Sequence, residues 1–123
     1  MILPIYAYGQ KILKRKANEI DSEYEDLNVL LENMWETMYN AKGVGLAAPQ
    51  IGKSIRIFLV DTVQMEDDEK EMTGIKKVFI NAEIIDETGE DKAYEEGCLS
   101  IPDIRGDVRR LSEIKIIYYD ENF

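Results

Sequence analysis

Histidine is absent from all 123 residues. The side chain that most readily ligates transition metals and moves protons near neutral pH is therefore missing, and a Cys–His nucleophile is excluded within this chain. Cysteine occurs once, at Cys98. That excludes an internal disulfide and fits a reducing compartment. Long apolar runs are also lacking: a run such as Ile57-Phe58-Leu59-Val60 is far too short to span a bilayer. The start, Met1-Ile2-Leu3-Pro4-Ile5-Tyr6, has neither the basic opening nor the apolar stretch of a secretory signal, so a cytoplasmic protein is expected. Positive charge is the last scarcity. Lys plus Arg number 15 against 25 Asp plus Glu, a net charge of −10. Such a field repels phosphate backbones and anionic lipid, so neither direct nucleic-acid binding nor membrane association is expected.

What is present suits a globular protein. The chain is 45% apolar and 33% charged, and its length fits a single domain over residues 1–123 with a real core. Pro4 favours an extended start, and Gln10 to Leu13 is read as one helical turn. Ser22, with Glu25 three residues on, has the spacing of a capping box. Leu27, Leu30, Leu31, Met34 and Met38 follow at helical spacing, which predicts an amphipathic helix from Glu23 to Ala41 ended by Gly43. Ile55 to Asp61 reads as a strand. The acidic run from Gln64 to Gly74 reads as a solvated loop without calcium-loop spacing. Val78 to Asn81 and Ile84 to Asp86 read as strands separated by a kink at Ala82-Glu83, with a turn at Gly89. A last strand is expected from Val108 to Tyr119, with Ile114, Ile116 and Tyr118 on one side and Lys115, Ile117 and Tyr119 on the other. The turn-like Asp120–Phe123 then awaits a partner strand. One helix among antiparallel strands is an α+β pattern.

Three places could carry chemistry. Gly43-Val44-Gly45 lacks the third glycine of a nucleotide-binding fingerprint and follows a helix where that motif follows a strand, so that reading is rejected. A helix cap and turn explains Gly43. A backbone that another chain approaches closely explains Gly45 better. Gln50, after Ala47-Ala48-Pro49, is either a surface side chain or an uncharged donor of the kind an oxyanion hole requires. Cys98 is either a small buried hydrophobe or a ligand whose partners this sequence does not supply.

Together, Gly43-Val44-Gly45-Leu46-Ala47-Ala48-Pro49-Gln50 and Glu96-Gly97-Cys98-Leu99-Ser100 resemble the first two signature motifs of the peptide deformylases, in the same order and at a similar separation. Leu3-Pro4-Ile5, Tyr8-Gly9, Leu13 and Phe79-Ile80-Asn81-Ala82-Glu83-Ile84 extend the resemblance along the chain, although the family often has proline where Ala82 stands. The resemblance implies removal of the N-formyl group from the initiator methionine of nascent bacterial-type polypeptides. It implies Fe2+, replaceable by Zn2+, Ni2+ or Co2+, held by Cys98 and two histidines of a third motif, His-Glu-x-x-His, whose glutamate is the general base. That third motif is missing. The expectation is a truncated or proteolysed form with no stable metal and no activity. A naturally shortened relative and a non-catalytic peptide-binding module are the alternatives.

The resemblance further implies that Gln50 and the backbone N–H of Leu99 stabilise the oxyanion, while Gly45 leaves room for the formyl group. The formyl-methionyl peptide would lie extended between Val44–Leu46 and Tyr94–Gly97, and Gly43, Val44, Leu46, Tyr94, Glu96 and Gly97 are the expected substrate contacts. Arg105 either orients the site or is solvated. Transient proximity to the ribosome is implied, and an apolar sheet face left open is expected to drive self-association.

Overall fold

A computed structural model describes residues 1–63 and 74–123, with the side chains of residues 94, 95, 101–105 and 107 left aside. The acidic run expected as a loop falls almost wholly outside the described residues.

Among the described residues, one helix, α1 (Leu27–Asn40), lies before a four-stranded sheet. The strands are β1 (Gly45–Ala47), β2 (Ile57–Asp61), β3 (Lys76–Cys98) and β4 (Ile101–Tyr119). Sheet order follows chain order and every pair is antiparallel, which leaves β1 on an edge. This is the α+β architecture that the sequence predicts. Short 3₁₀ turns stand at Lys11–Leu13, as expected, and at Ala48–Ile51.

The apolar stripe of α1 buries Leu31, Met34 and Met38 together with Thr37. These residues meet Leu46, Ile57, Leu59, Val78 and Ile80 from one face of the sheet, giving one continuous core. On the opposite face Phe58 stacks on Phe79 at 4.7 Å, and Phe79 meets Tyr118 at 4.5 Å.

The helix begins four residues later than expected. Ser22 and Glu25 form no capping box. The Asp21 side chain accepts the Glu23 N–H instead, making a tight turn, and the helix is entered from Asp26 in the left-handed region (φ 57°) without a side-chain cap. Gly43 is also not the left-handed residue at the other end. Lys42 takes that conformation (φ 59°) and donates to Tyr39 O, while the Gly43 N–H reaches back to Met38 O at 3.0 Å. This is a Schellman closure with glycine one place beyond the usual one.

The second half departs most from expectation. In place of short strands and a turn at Gly89, β3 runs unbroken to Cys98, and β4 begins at Ile101 instead of Val108. Gly89 (φ 90°) sits inside β3 where the register shifts between Thr88 and Asp91. It is a bulge, and a Cβ there would stand 2.0 Å from Ser112 Oγ. The expected kink near Ala82-Glu83 is present as a register shift between Ile80 and Glu83, entered through Asn81 (φ 53°). Along the outer β3–β4 ribbon, Ile84, Ile85, Ile114 and Ile117 are each more than half exposed. The chain end folds back, with Phe123 packed against the core and its N–H bonded to Asp120 O.

Candidate active site

The two sequence segments singled out for chemistry lie side by side. The first leaves α1, forms β1 and turns through Ala48–Ile51. The second ends β3 and turns through Leu99-Ser100 into β4, with Cys98 paired to Ile101. The N-terminal segment straps the two together, since the Tyr6 N–H donates to Gln50 O (2.6 Å) and the Tyr8 N–H to Ser100 O (2.9 Å).

Gln50 is half-buried, not a free surface side chain. Its Oε1 accepts the Ala47 N–H at 3.0 Å, which fixes which end of the carboxamide carries the donors. Its Nε2 then lies 3.6 Å from Cys98 Sγ and 3.2 Å from Ser100 Oγ. Cys98 is an exposed free thiol and not a buried hydrophobe. Leu99 follows it in the turn, and among the described residues no acceptor takes the Leu99 N–H. An uncharged side-chain donor and a backbone donor thus flank one sulfur.

Each glycine in the first segment has its own reason. A Cβ on Gly43 would stand 2.7 Å from Leu99 Cδ1, so this glycine is the seat of the Leu99 side chain. A Cβ on Gly45 would meet only Leu59 O, at an ordinary 3.4 Å. The fold itself therefore does not demand glycine at position 45.

β1 presents a short open edge. The Asp61 N–H donates to Val44 O, and Leu46 pairs with Leu59, so alternation turns the Gly45 N–H and C=O outward. The Ala47 N–H is already taken by Gln50. Within Val44–Leu46, pairing with an added strand is confined to Gly45, while the Val44 side chain is exposed beside it.

Glu96 is engaged. Arg110 grips its carboxylate with two N–H groups at 2.7 and 2.9 Å, and these hydrogen bonds, reinforced by the guanidinium charge, hold the Glu96 carboxyl below the usual range. Gly97 is exposed and faces Arg105 in the β3–β4 register. The Tyr94 and Arg105 side chains lie outside the described atoms. Sequence reasoning passed over Arg110, Ser100 and the strap from Tyr6 and Tyr8. Only Ser100 had a signal, as a hydroxyl two residues past the cysteine.

The metal that this site implies is not matched by the donors present. Cys98 offers one soft ligand, the chain has no imidazole, and among the described residues no group of three or more Cys, Asp or Glu could hold an ion. Among the described residues, too, no helix is long and apolar enough to cross a membrane.

Residues 2–123 match the polypeptide deformylase family. The chain is 54% identical to the peptide deformylase of Christiangramia forsetii over all of its own length and 66% of that protein's. It is 52% identical to that of Flavobacterium psychrophilum, of which it covers 67%. Among solved structures, a peptide deformylase from Legionella pneumophila superposes with a TM-score of 0.84 at 37% identity, over 98% of this chain and 67% of that one. The Ehrlichia chaffeensis peptide deformylase in complex with actinonin gives 0.87 at 30% identity, over 98% and 70%. The chain spans about two thirds of the length of the curated relatives that it matches. By the match along its whole length and by its fold, this chain belongs to the polypeptide deformylase family.

Proposed function

We propose that these residues form the oxyanion-binding and substrate-cradling part of an enzyme that hydrolyses the N-formyl group of formyl-methionyl peptides. The observation that carries this reading is Gln50, whose carboxamide is clamped by the Ala47 N–H so that its Nε2 lies 3.6 Å from Cys98 Sγ. As water adds to the formyl carbon, charge develops on the carbonyl oxygen. A fixed neutral amide and the Leu99 N–H, which no acceptor among the described residues takes, stabilise that charge without reorganising, and one such donor typically contributes about 3 kcal/mol. The peptide would pair as an added strand with Gly45 on one side and the Tyr94–Gly97 stretch on the other, with the bare Cα of Gly45 leaving space for the formyl group and Val44 beside the methionine. Gly43 and Leu46 support this cradle from behind. Arg110 keeps Glu96 fixed on the rim, so Glu96 acts as an anchored wall and not as a base.

Cys98, as thiolate, would be one metal ligand, with iron or a substitute divalent ion as the expected metal. Because the remaining donors are not in this chain, the 123 residues alone are read as one incomplete domain without stable metal and without turnover. A cytoplasmic setting near the ribosome suits such a substrate. The exposed isoleucines of the β3–β4 ribbon would favour self-association.

The test is hydrolysis of a formyl-methionyl peptide by the protein as its gene encodes it, alongside the bare 123-residue chain and a Gln50→Ala variant of the gene product. Turnover by the gene product, none by the bare chain and a fall in kcat of about 10²–10³ in the variant are expected. Unchanged kcat in the variant refutes the oxyanion role, and turnover or stoichiometric metal in the bare chain refutes its incompleteness.

A further inference from the structure

Gln50 carries two N–H donors on Nε2, and an oxyanion role needs one of them aimed at the reacting carbonyl. A terminal amide rotates broadly unless both ends are held. The Ala47 N–H holds the oxygen end at 3.0 Å. The nitrogen end is held by Ser100, whose Oγ lies 3.2 Å from Nε2. Ser100 is only 6% exposed, so water competes poorly for that contact. Its own backbone is tied down in turn, since Ser100 O accepts the Tyr8 N–H at 2.9 Å. Flipping the amide would set Nε2 against the Ala47 N–H, donor against donor.

We propose that Ser100 is a positioning residue for the Gln50 carboxamide: its buried hydroxyl takes one of the two Nε2 donors and thereby aims the other at the site beside Cys98. The proposal rests on the deformylase reading of Gln50, and it assigns to the turn after the cysteine a task separate from that of the Leu99 backbone. If Ser100 served only packing, its removal would lower stability and leave the amide where it is.

Two measurements separate these. The 123-residue chain contains three glutamines, Gln10, Gln50 and Gln64, so side-chain amide spectra of glutamine-labelled protein are easily assigned with Gln50→Ala. Ser100→Ala should shift the Gln50 NH₂ signals and speed their exchange with water, and Ser100→Thr, which keeps the hydroxyl, should largely restore them. In the gene product, Ser100→Ala should lower kcat by about tenfold, part of the value of a whole donor, with KM changed less than twofold. In a Gln50→Ala background the same substitution should cost nothing further. Unaltered Gln50 amide signals in Ser100→Ala overturn the proposal, as does an equal kcat loss with Gln50 already removed. Should Ser100→Ala fail to fold, Ser100→Cys keeps the volume, weakens the acceptor and carries the same comparison. A gene product that never deformylates refutes the enzymatic reading, while the amide spectra still decide the positioning.

Discussion

Replacing Gly43 with alanine is expected to damage catalysis more than stability. The added Cβ would lie 2.7 Å from Leu99 Cδ1 and 3.3 Å from Leu99 Cδ2 and Cγ. Carbon atoms rest about 3.5–4.0 Å apart, so Leu99 must retreat by about 1 Å. It cannot rotate freely away, because its side chain is packed against the core. Overpacking of this kind costs about 1–3 kcal/mol. The alanine returns about 0.4–1 kcal/mol by narrowing the unfolded ensemble, since Gly43 does not need a positive φ. A net loss of about 1 kcal/mol should appear in denaturant unfolding. The Leu99 N–H moves with its side chain, and about 1 Å of misplacement at a reacting centre can cost about a hundredfold in rate. The gene product carrying Gly43→Ala should therefore lose between about tenfold and a hundredfold in kcat on a formyl-methionyl peptide, with the fold intact. In a Leu99→Ala background the stability penalty should vanish, because the clashing atoms are gone. A variant with kcat within twofold of the parent, or a penalty unchanged by Leu99→Ala, refutes the coupling of Gly43 to Leu99.

Two further outcomes follow from groups outside the site. Tyr39 donates its hydroxyl to the buried Asp61 carboxylate, and burial together with that anionic partner pushes its pKa up to about 12. A raised tyrosine pKa gives stability that is present below pH 10 and lost as pH climbs from 10 towards 12; with Tyr39 38% exposed, solvent screening reduces this to about 1 kcal/mol. Tyr39→Phe should flatten that alkaline decline in urea melts, and an unchanged decline would exclude Tyr39 as its source. Asn81 occupies the left-handed region and its side chain bonds both the N–H and the C=O of Ile20, at 3.0 and 2.7 Å. Asn81→Ala should cost about 2–4 kcal/mol and Asn81→Gly about 1 kcal/mol less, separating backbone strain from the lost hydrogen bonds; equal costs for the two would remove the strain from this account.

The sequence was most readable where one face is wet and the other buried. The helical spacing of Leu31, Met34 and Met38 and the branched run at Ile57 to Asp61 mark the core because burial sets their period. The β3–β4 ribbon was legible only in part: strands are expected at Val78–Asn81, Ile84–Asp86 and Val108–Tyr119, but not through the segments between them. Asp86-Glu87-Thr88-Gly89-Glu90-Asp91 is polar on both faces and reads as a turn, yet it stays extended because Asp86, Glu87, Thr88 and Asp91 pair across to β4 around a bulge at Gly89. The capping-box pattern at Ser22 failed as well: the Asp21 side chain instead makes a tight turn with the Glu23 N–H, and the helix starts later, at Leu27. At the site, Gln50 and Cys98 stood out only through their motifs. Ser100 lay inside the second motif, yet its contact with Gln50 spans distant segments, and Arg110 is defined by its cross-strand grip on Glu96, which no local pattern encodes.

The strap from Tyr6 and Tyr8 also bears on the order in which the protein matures. The β3–β4 hairpin joins residues close in sequence and can form early, whereas the Tyr8–Ser100 bond closes the long loop from residue 8 to residue 100. The Tyr6 and Tyr8 bonds to Gln50 and Ser100 therefore join late, and the two signature segments acquire their final spacing only once that long-range closure has formed.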